Sequence, residues 1–212
     1  MRRSLRRICL TGLLCGFFGA TAATAGPLGA IGPGDVWQLP PGAWTACLQS
    51  GDDASGCLRR IMTREQASPR ALAINRQLDG EGYMAAFHEA GRVDVATMEF
   101  PLRANSNEVA YLVNGQPGLV SSELDETALP LAANPDYRAL HNQYPDLMFW
   151  PVGDGPREVT ALAQGGQGFV FSYALLNGCH ACEVLGQAVV SLDFNARGRF
   201  LGPRLVRVES ER

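Results

Sequence analysis

Two cysteines and a histidine fall within four residues, Cys179-His180-Ala181-Cys182. At that spacing these residue types allow several kinds of chemistry. A reduced pair makes a thiol–disulfide centre when its first cysteine sits at a helix N-terminus, where the dipole stabilises the thiolate and a neighbouring imidazole helps further. Two thiolates and an imidazole are also plausible zinc or copper ligands, although a closed tetrahedral zinc site takes four. An oxidised pair does something different: it closes a tight turn and pushes His180 and Ala181 outward. Haem attachment needs Cys-x-x-Cys-His, and Glu183 stands where that histidine would be.

The flanking elements discriminate among these. Residues 168–176, Gly-Phe-Val-Phe-Ser-Tyr-Ala-Leu-Leu, read as a strand leading into the loop, and residues 186–194 read as a strand leading out. A thioredoxin-type centre needs a helix starting at its first cysteine, whereas the residues after Cys182 read as two strands. Cys47 and Cys57 could complete a metal set only if reduced, and His88 and His141 have no spacing that links them to the loop. The sequence thus favours a disulfide-closed loop at the end of a β-hairpin. Such a loop is either a plain staple with His180 solvated, or a recognition element. In the second case a rigid imidazole enters a partner's cleft at little entropic cost. His180 and Ala181 are the candidate binding residues; no catalytic residue, metal ligand or cofactor is assigned.

The compartment supports oxidation. Arg2, Arg3, Arg6 and Arg7 precede an apolar run over 8–18, and Ala23-Thr24-Ala25 has the small-x-small form of a cleavage site, so residues 1–25 are expected to be a signal peptide. The apolar run is short for a membrane span, and no stable insertion is expected after cleavage. Cleavage removes Cys9 and Cys15. It leaves Cys47, Cys57, Cys179 and Cys182, an even number suited to an oxidising compartment. Local pairing, 47 with 57 and 179 with 182, keeps each pair in its own short segment.

The 212-residue chain is 46% hydrophobic and 18% charged, long enough to bury a sizeable core. After cleavage 14 arginines face 21 acidic residues, a net charge near −7, with no lysine anywhere in the chain. Such a chain without a basic cluster argues against nucleic-acid binding. Gly-x-Ser-x-Gly, His-Glu-x-x-His and phosphate-loop signatures are absent. Gly165-Gly166-Gln167-Gly168 precedes a strand and reads as a turn. Asp52-Asp53 reads as a solvated turn, and Trp37, Trp44 and Trp150 as packing residues.

Residues 26–40 are expected to be a loose Gly/Pro-rich leader, and 41–212 a single α+β domain, helical over 41–91 and mainly sheet over 92–212. A helix over 43–48 and a second holding Cys57, Leu58, Ile61 and Met62 inward would be stapled by Cys47–Cys57. Ser68-Pro69 opens a third. Residues 81–90 read as a fourth, with Tyr83, Met84, Phe87 and Ala90 as its buried stripe and His88 on its surface. Period two then takes over, with strands expected near 93–98 and 109–113. A short helix follows Asn134-Pro135, ended by Pro145. Residues 147–151, 157–162, 169–173, 188–194 and 200–208 read as strands, the last three forming an antiparallel meander. The fold class is α+β, with N-terminal helices followed by an antiparallel sheet.

Residues 147–208 resemble the inhibitor of vertebrate lysozyme family, periplasmic proteins that block lysozyme. The resemblance rests on Met148-Phe149-Trp150, Phe169-Val170-Phe171-Ser172-Tyr173, the loop Cys179-His180-Ala181-Cys182, and Ala188-Val189-Val190-Ser191-Leu192. In that family a strand leads to a loop Cys-Lys-Pro-His-Asp-Cys, whose histidine enters the lysozyme active site and contacts its catalytic carboxylates. The likeness implies a loop disulfide at Cys179 and Cys182, with His180 as the inserted group. This chain has two residues between the cysteines where the family has four, and lacks the Lys-Pro and the Asp. The expected function is a periplasmic or secreted non-enzymatic binding protein with a protein partner in the cell envelope, an inhibitor of a cell-wall-lytic enzyme. The alternatives are a thiol–disulfide protein attacking through Cys179, and a purely structural envelope protein.

Overall fold

Three helices begin where a short polar side chain can take the first unpaired amides. Asp53 accepts from the Gly56 amide at 2.6 Å, Ser68 from Ala71 at 2.9 Å, and Asn134 from Asp136 and Tyr137, both at 3.0 Å. The helices they start are α2 (Ala54–Arg64), α3 (Pro69–Gln77) and α4 (Pro135–Gln143); α1 (Ala43–Gln49) precedes them. The computed structural model describes residues 28–49, 53–105 and 107–210. The expected signal peptide lies outside the described residues. On α2 the inward positions are those the spacing predicts: Cys57, Leu58, Ile61 and Met62 are all buried.

Residues 81–90 do not form the expected helix. Tyr83–His88 is a strand, β1. Tyr83 packs in the α2 cluster, edge-on to Trp37 with ring centroids 4.9 Å apart, while the adjacent Met84 packs in the α3 cluster. Both sides of the strand are covered, so the alternation that marks a half-buried strand disappears. Tyr83, Met84 and Phe87 then mimic a helical stripe. A register shift between Met84 and Ala86 disturbs the pattern further. His88 accordingly stands exposed at the end of β1 and not on a helix.

Nor is the segment before α1 loose. Ile31 and Trp37 are buried, and Asn114 clasps Ile31 from both sides, accepting its amide at 2.7 Å and donating to its carbonyl at 2.9 Å. The Trp37 amide donates to the Met84 carbonyl at 2.9 Å. Glycine and proline content suggested freedom, but two large apolar side chains and a polar clasp fix the segment.

The strands form two antiparallel sheets. The first is a meander of β1, β2 (Asp94–Glu99), β3 (Glu108–Val113) and β4 (Leu119–Ser121). The second is built on β7 (Gln167–Asn177), β8 (Val184–Phe194) and β9 (Phe200–Ser210), the meander expected from sequence. Two shorter strands share the other side of β7: β5 (Leu147–Val152) pairs with residues 172–177 and β6 (Glu158–Ala161) with 167–170.

One face of the first sheet carries Ala96, Met98, Val109 and Val113 against Ile31, Ile74 and Leu78. Its other face carries Val95, Ala110, Leu112 and Val120 against Phe169, Phe171, Tyr173, Val190, Leu192 and Phe194 of the second sheet. Polar ties also cross between the sheets. Gln167 accepts from the Arg92 and Val93 amides at 3.0 and 2.9 Å and donates to the Ala90 carbonyl at 2.9 Å. The Tyr173 hydroxyl donates to the Ser122 carbonyl at 2.6 Å, and its burial holds the phenol well above its ordinary pKa. The Gln116 amide donates to the Gly198 carbonyl at 2.8 Å. Among the described residues, no helix is long and apolar enough to cross a membrane.

Candidate functional site

The β7–β8 ladder delivers Cys179-His180-Ala181-Cys182 to the tip of a hairpin whose strands are 11 residues each. Pairing runs out at Leu176↔Val184, and the chain then has six residues, 178–183, in which to reverse. The Asn177 amide donates to the Glu183 carbonyl at 3.0 Å, closing the base of the loop. Gly178 turns the chain at φ +75°, a left-handed conformation that glycine adopts without steric cost. The Cys182 amide then donates to the Cys179 carbonyl at 3.0 Å, the bond of a β-turn with His180 and Ala181 at its two central positions.

Cys179 and Cys182 are joined by a disulfide, with Cα atoms 5.0 Å apart. The turn hydrogen bond and the disulfide fix the same four residues, and all four are exposed. His180 does not simply project into water. Its imidazole meets the Trp150 indole edge to face, with centroids 4.4 Å apart at an interplanar angle of 73°. Trp150 is placed by the β5–β7 register, which sets it opposite Ala174; the small partner leaves its ring room to lie across the sheet. On the opposite face of the same strand, Phe149 stacks on Tyr173 at 4.3 Å and 11°. The strand β5 therefore grips the hairpin from both sides: Phe149 anchors it in the core and Trp150 backs the histidine.

This arrangement differs from what a thiol–disulfide centre or a metal site needs. No helix begins at Cys179 or Cys182; the residues after the loop are β8. The helix dipole that would favour a thiolate is therefore missing. The other cysteine pair is also joined, Cys47 to Cys57, with Cα atoms 5.8 Å apart. Among the described residues, no group of three or more histidine, cysteine, aspartate or glutamate side chains is placed to hold a metal ion. The three histidines lie on three different elements. His88 ends β1, His141 stacks on Tyr137 of α4 at 5.9 Å, and His180 stands at the tip. His141 and Tyr137 do line a second recess of about 300 Å³ with Glu126, Arg138 and Asn142. Burial raises the Tyr137 phenol above its ordinary pKa.

The sequence brought His180 forward and placed Trp150 among packing residues. The contact between them depends on a strand pairing some 25 residues apart, and no local pattern announces it. No family model matches the chain, and neither a curated protein nor a solved structure matches it.

Proposed function

We propose that this is a periplasmic or secreted, non-enzymatic binding protein that presents the Cys179–Cys182 tip, with His180 foremost, to a protein of the cell envelope. The target class is a cell-wall-lytic enzyme. One observation carries the reading: an exposed imidazole is held by a disulfide, a turn hydrogen bond and the Trp150 ring at once. Each restraint removes freedom before binding, so less is lost when a partner closes over the histidine. Enzymes that cleave glycosidic bonds commonly work with two carboxyl groups across a cleft. An imidazole can donate to either, and the bond is stronger when the acceptor is ionised. The likeness of residues 147–208 to the lysozyme inhibitors supports the same target chemistry.

The test is titration of the oxidised protein into lysozymes of several types, with cell-wall lysis as readout. The expected result is saturable inhibition at micromolar concentration or below, weakened at least ~10-fold by His180→Ala, about 1.4 kcal/mol of binding. The His180→Ala protein should stay folded and lose no more than the ~1 kcal/mol of its ring contact with Trp150. Absence of inhibition at micromolar concentration, or equal inhibition by His180→Ala, removes the proposal.

A further inference from the structure

A recess of about 760 Å³ lies between α1 and α2, far along the chain from the hairpin tip. Its volume falls within the range usual for small-molecule sites, roughly 300–1,000 Å³. Ala43 and Ala46 of α1 and Ile61 of α2 give it an apolar lining, and Arg59, Arg60 and Arg64 surround that lining with guanidinium groups. The spacing explains the pattern. Cys57, Leu58, Ile61 and Met62 face the core, so the positions between them, Arg59, Arg60 and Arg64, come together on the outer side of the same helix.

Two independent observations point to a ligand with both an anionic and an apolar part. The first is charge. Residues 43–77 hold five arginines against three acids, while 78–212 hold nine arginines against 17 acids. Two of those three acids are engaged nearby: Asp53 caps α2, and Glu65 accepts from the Arg64 Nε at 2.9 Å. The recess therefore sits in a net positive segment of a negative chain. The second is α1 itself. Its seven residues, Ala-Trp-Thr-Ala-Cys-Leu-Gln, carry no charge, yet none of them is buried, and Leu48 is 42% exposed. A purely ionic ligand would leave that apolar surface in water, and a purely apolar one would make no use of the charge that Arg59 brings to the rim.

We propose that the α1–α2 recess binds an anionic amphiphile, a molecule with one phosphate or carboxylate group on a single aliphatic tail. The guanidinium fork matches the oxygens of either head group. The tail lies along Ala43 and Ala46 of α1. The disulfide Cys47–Cys57 holds the two walls together.

The test is isothermal titration of the full oxidised chain with dodecyl phosphate below its micelle concentration. One saturable site is expected, weakened at least ~10-fold in Arg59→Ala/Arg64→Ala, since each charge-assisted contact exceeds the ~1.4 kcal/mol that a tenfold change represents. Ala46→Trp, which fills the recess and leaves every arginine in place, should abolish binding. All three sites are exposed, so both variants should keep the wild-type melting temperature. Dodecyltrimethylammonium and inorganic phosphate should show no saturable site. Four results overturn the proposal: no saturable binding by the wild type, unchanged affinity in either variant, inorganic phosphate binding as tightly as dodecyl phosphate, or binding to phosphatidylglycerol vesicles without binding to the monomer.

Discussion

The two disulfides make the same bond in opposite settings. Cys47–Cys57 spans ten residues and ties α1 to α2; Cys179–Cys182 spans three and ties the two ends of a turn. In the first case one of the joined elements is only partly buried: Ala43 and Trp44 of α1 pack on the α2 cluster, but no residue of α1 is fully buried. In the second the joined segments are already fixed by the long β7–β8 ladder. Chain-entropy arguments rank the two bonds in the same order, at roughly 2.7 kcal/mol for the longer loop and roughly 1.6 kcal/mol for the shorter. The difference teaches what each bond is for. One retains an element that joins the core only at its edge, and the other shapes an element that would be present anyway.

The largest effect is therefore expected from Cys47→Ala/Cys57→Ala. Chemical denaturation should show a loss of roughly 2.7 kcal/mol, and amide exchange should show α1 opening while α2 stays protected. Protection of α1 at the wild-type level would show that α1 is held by something other than the bond. Next comes Cys179→Ala/Cys182→Ala. Here roughly 1.6 kcal/mol is an upper bound, and faster exchange should be confined to residues 178–183. Loss of protection throughout β7 and β8 would erase the contrast between the two bonds.

Smaller again is Trp150→Ala, which removes the ring behind His180 but leaves the disulfide. An exchange of about 1 kcal/mol is expected, typical of one aromatic pair, together with a clear shift of the His180 ring-proton resonance as the indole ring current disappears. An unmoved resonance would mean that the disulfide alone positions the imidazole.

The smallest effect lies outside both disulfide regions and serves as a baseline. The Asp125 carboxylate accepts from the Thr127 hydroxyl and amide, which holds its pKa below the usual carboxylate range. A group depressed on folding stabilises the folded state above its unfolded pKa, and that contribution fades as pH falls through the folded value. The melting-temperature difference between wild type and Asp125→Asn should thus be present at neutral pH and vanish in acid. A difference independent of pH would contradict it.

Much of this was legible from residue types. Ser68 and Asn134 announce their helices because capping is a local interaction between a side chain and amides two or three residues on, whereas Asp53, read only as part of a solvated turn, also caps α2. The meander of β7, β8 and β9 is legible because Phe169, Phe171, Tyr173 and Leu175 alternate with residues of the other face. The same logic explains β1. Tyr83 and Met84 are buried on opposite sides by two different helices, so period two is hidden and a helical reading fits equally well. Ile31 and Trp37 were hidden among glycines and prolines, and their anchoring partners, Asn114 and Tyr83, are distant in sequence. The site divides the same way. The turn and its cysteines are local and were read; the Trp150 contact is a product of strand register and was not.

The strand β7 has one more consequence. Gln167 at its first residue is bonded into the loop before β2, and Asn177 at its last closes the base of the tip. At about 3.3 Å per residue those ends stand roughly 33 Å apart. The hairpin is in effect a cantilever, rooted in the neighbouring sheet and loaded at its free end. Two half-length strands, β5 and β6, brace it along one side in separate spans. A load on His180 is resisted first by the span that β5 braces and last by the Gln167 joint. The direction in which the tip is aimed is set at the joint, thirteen residues before His180.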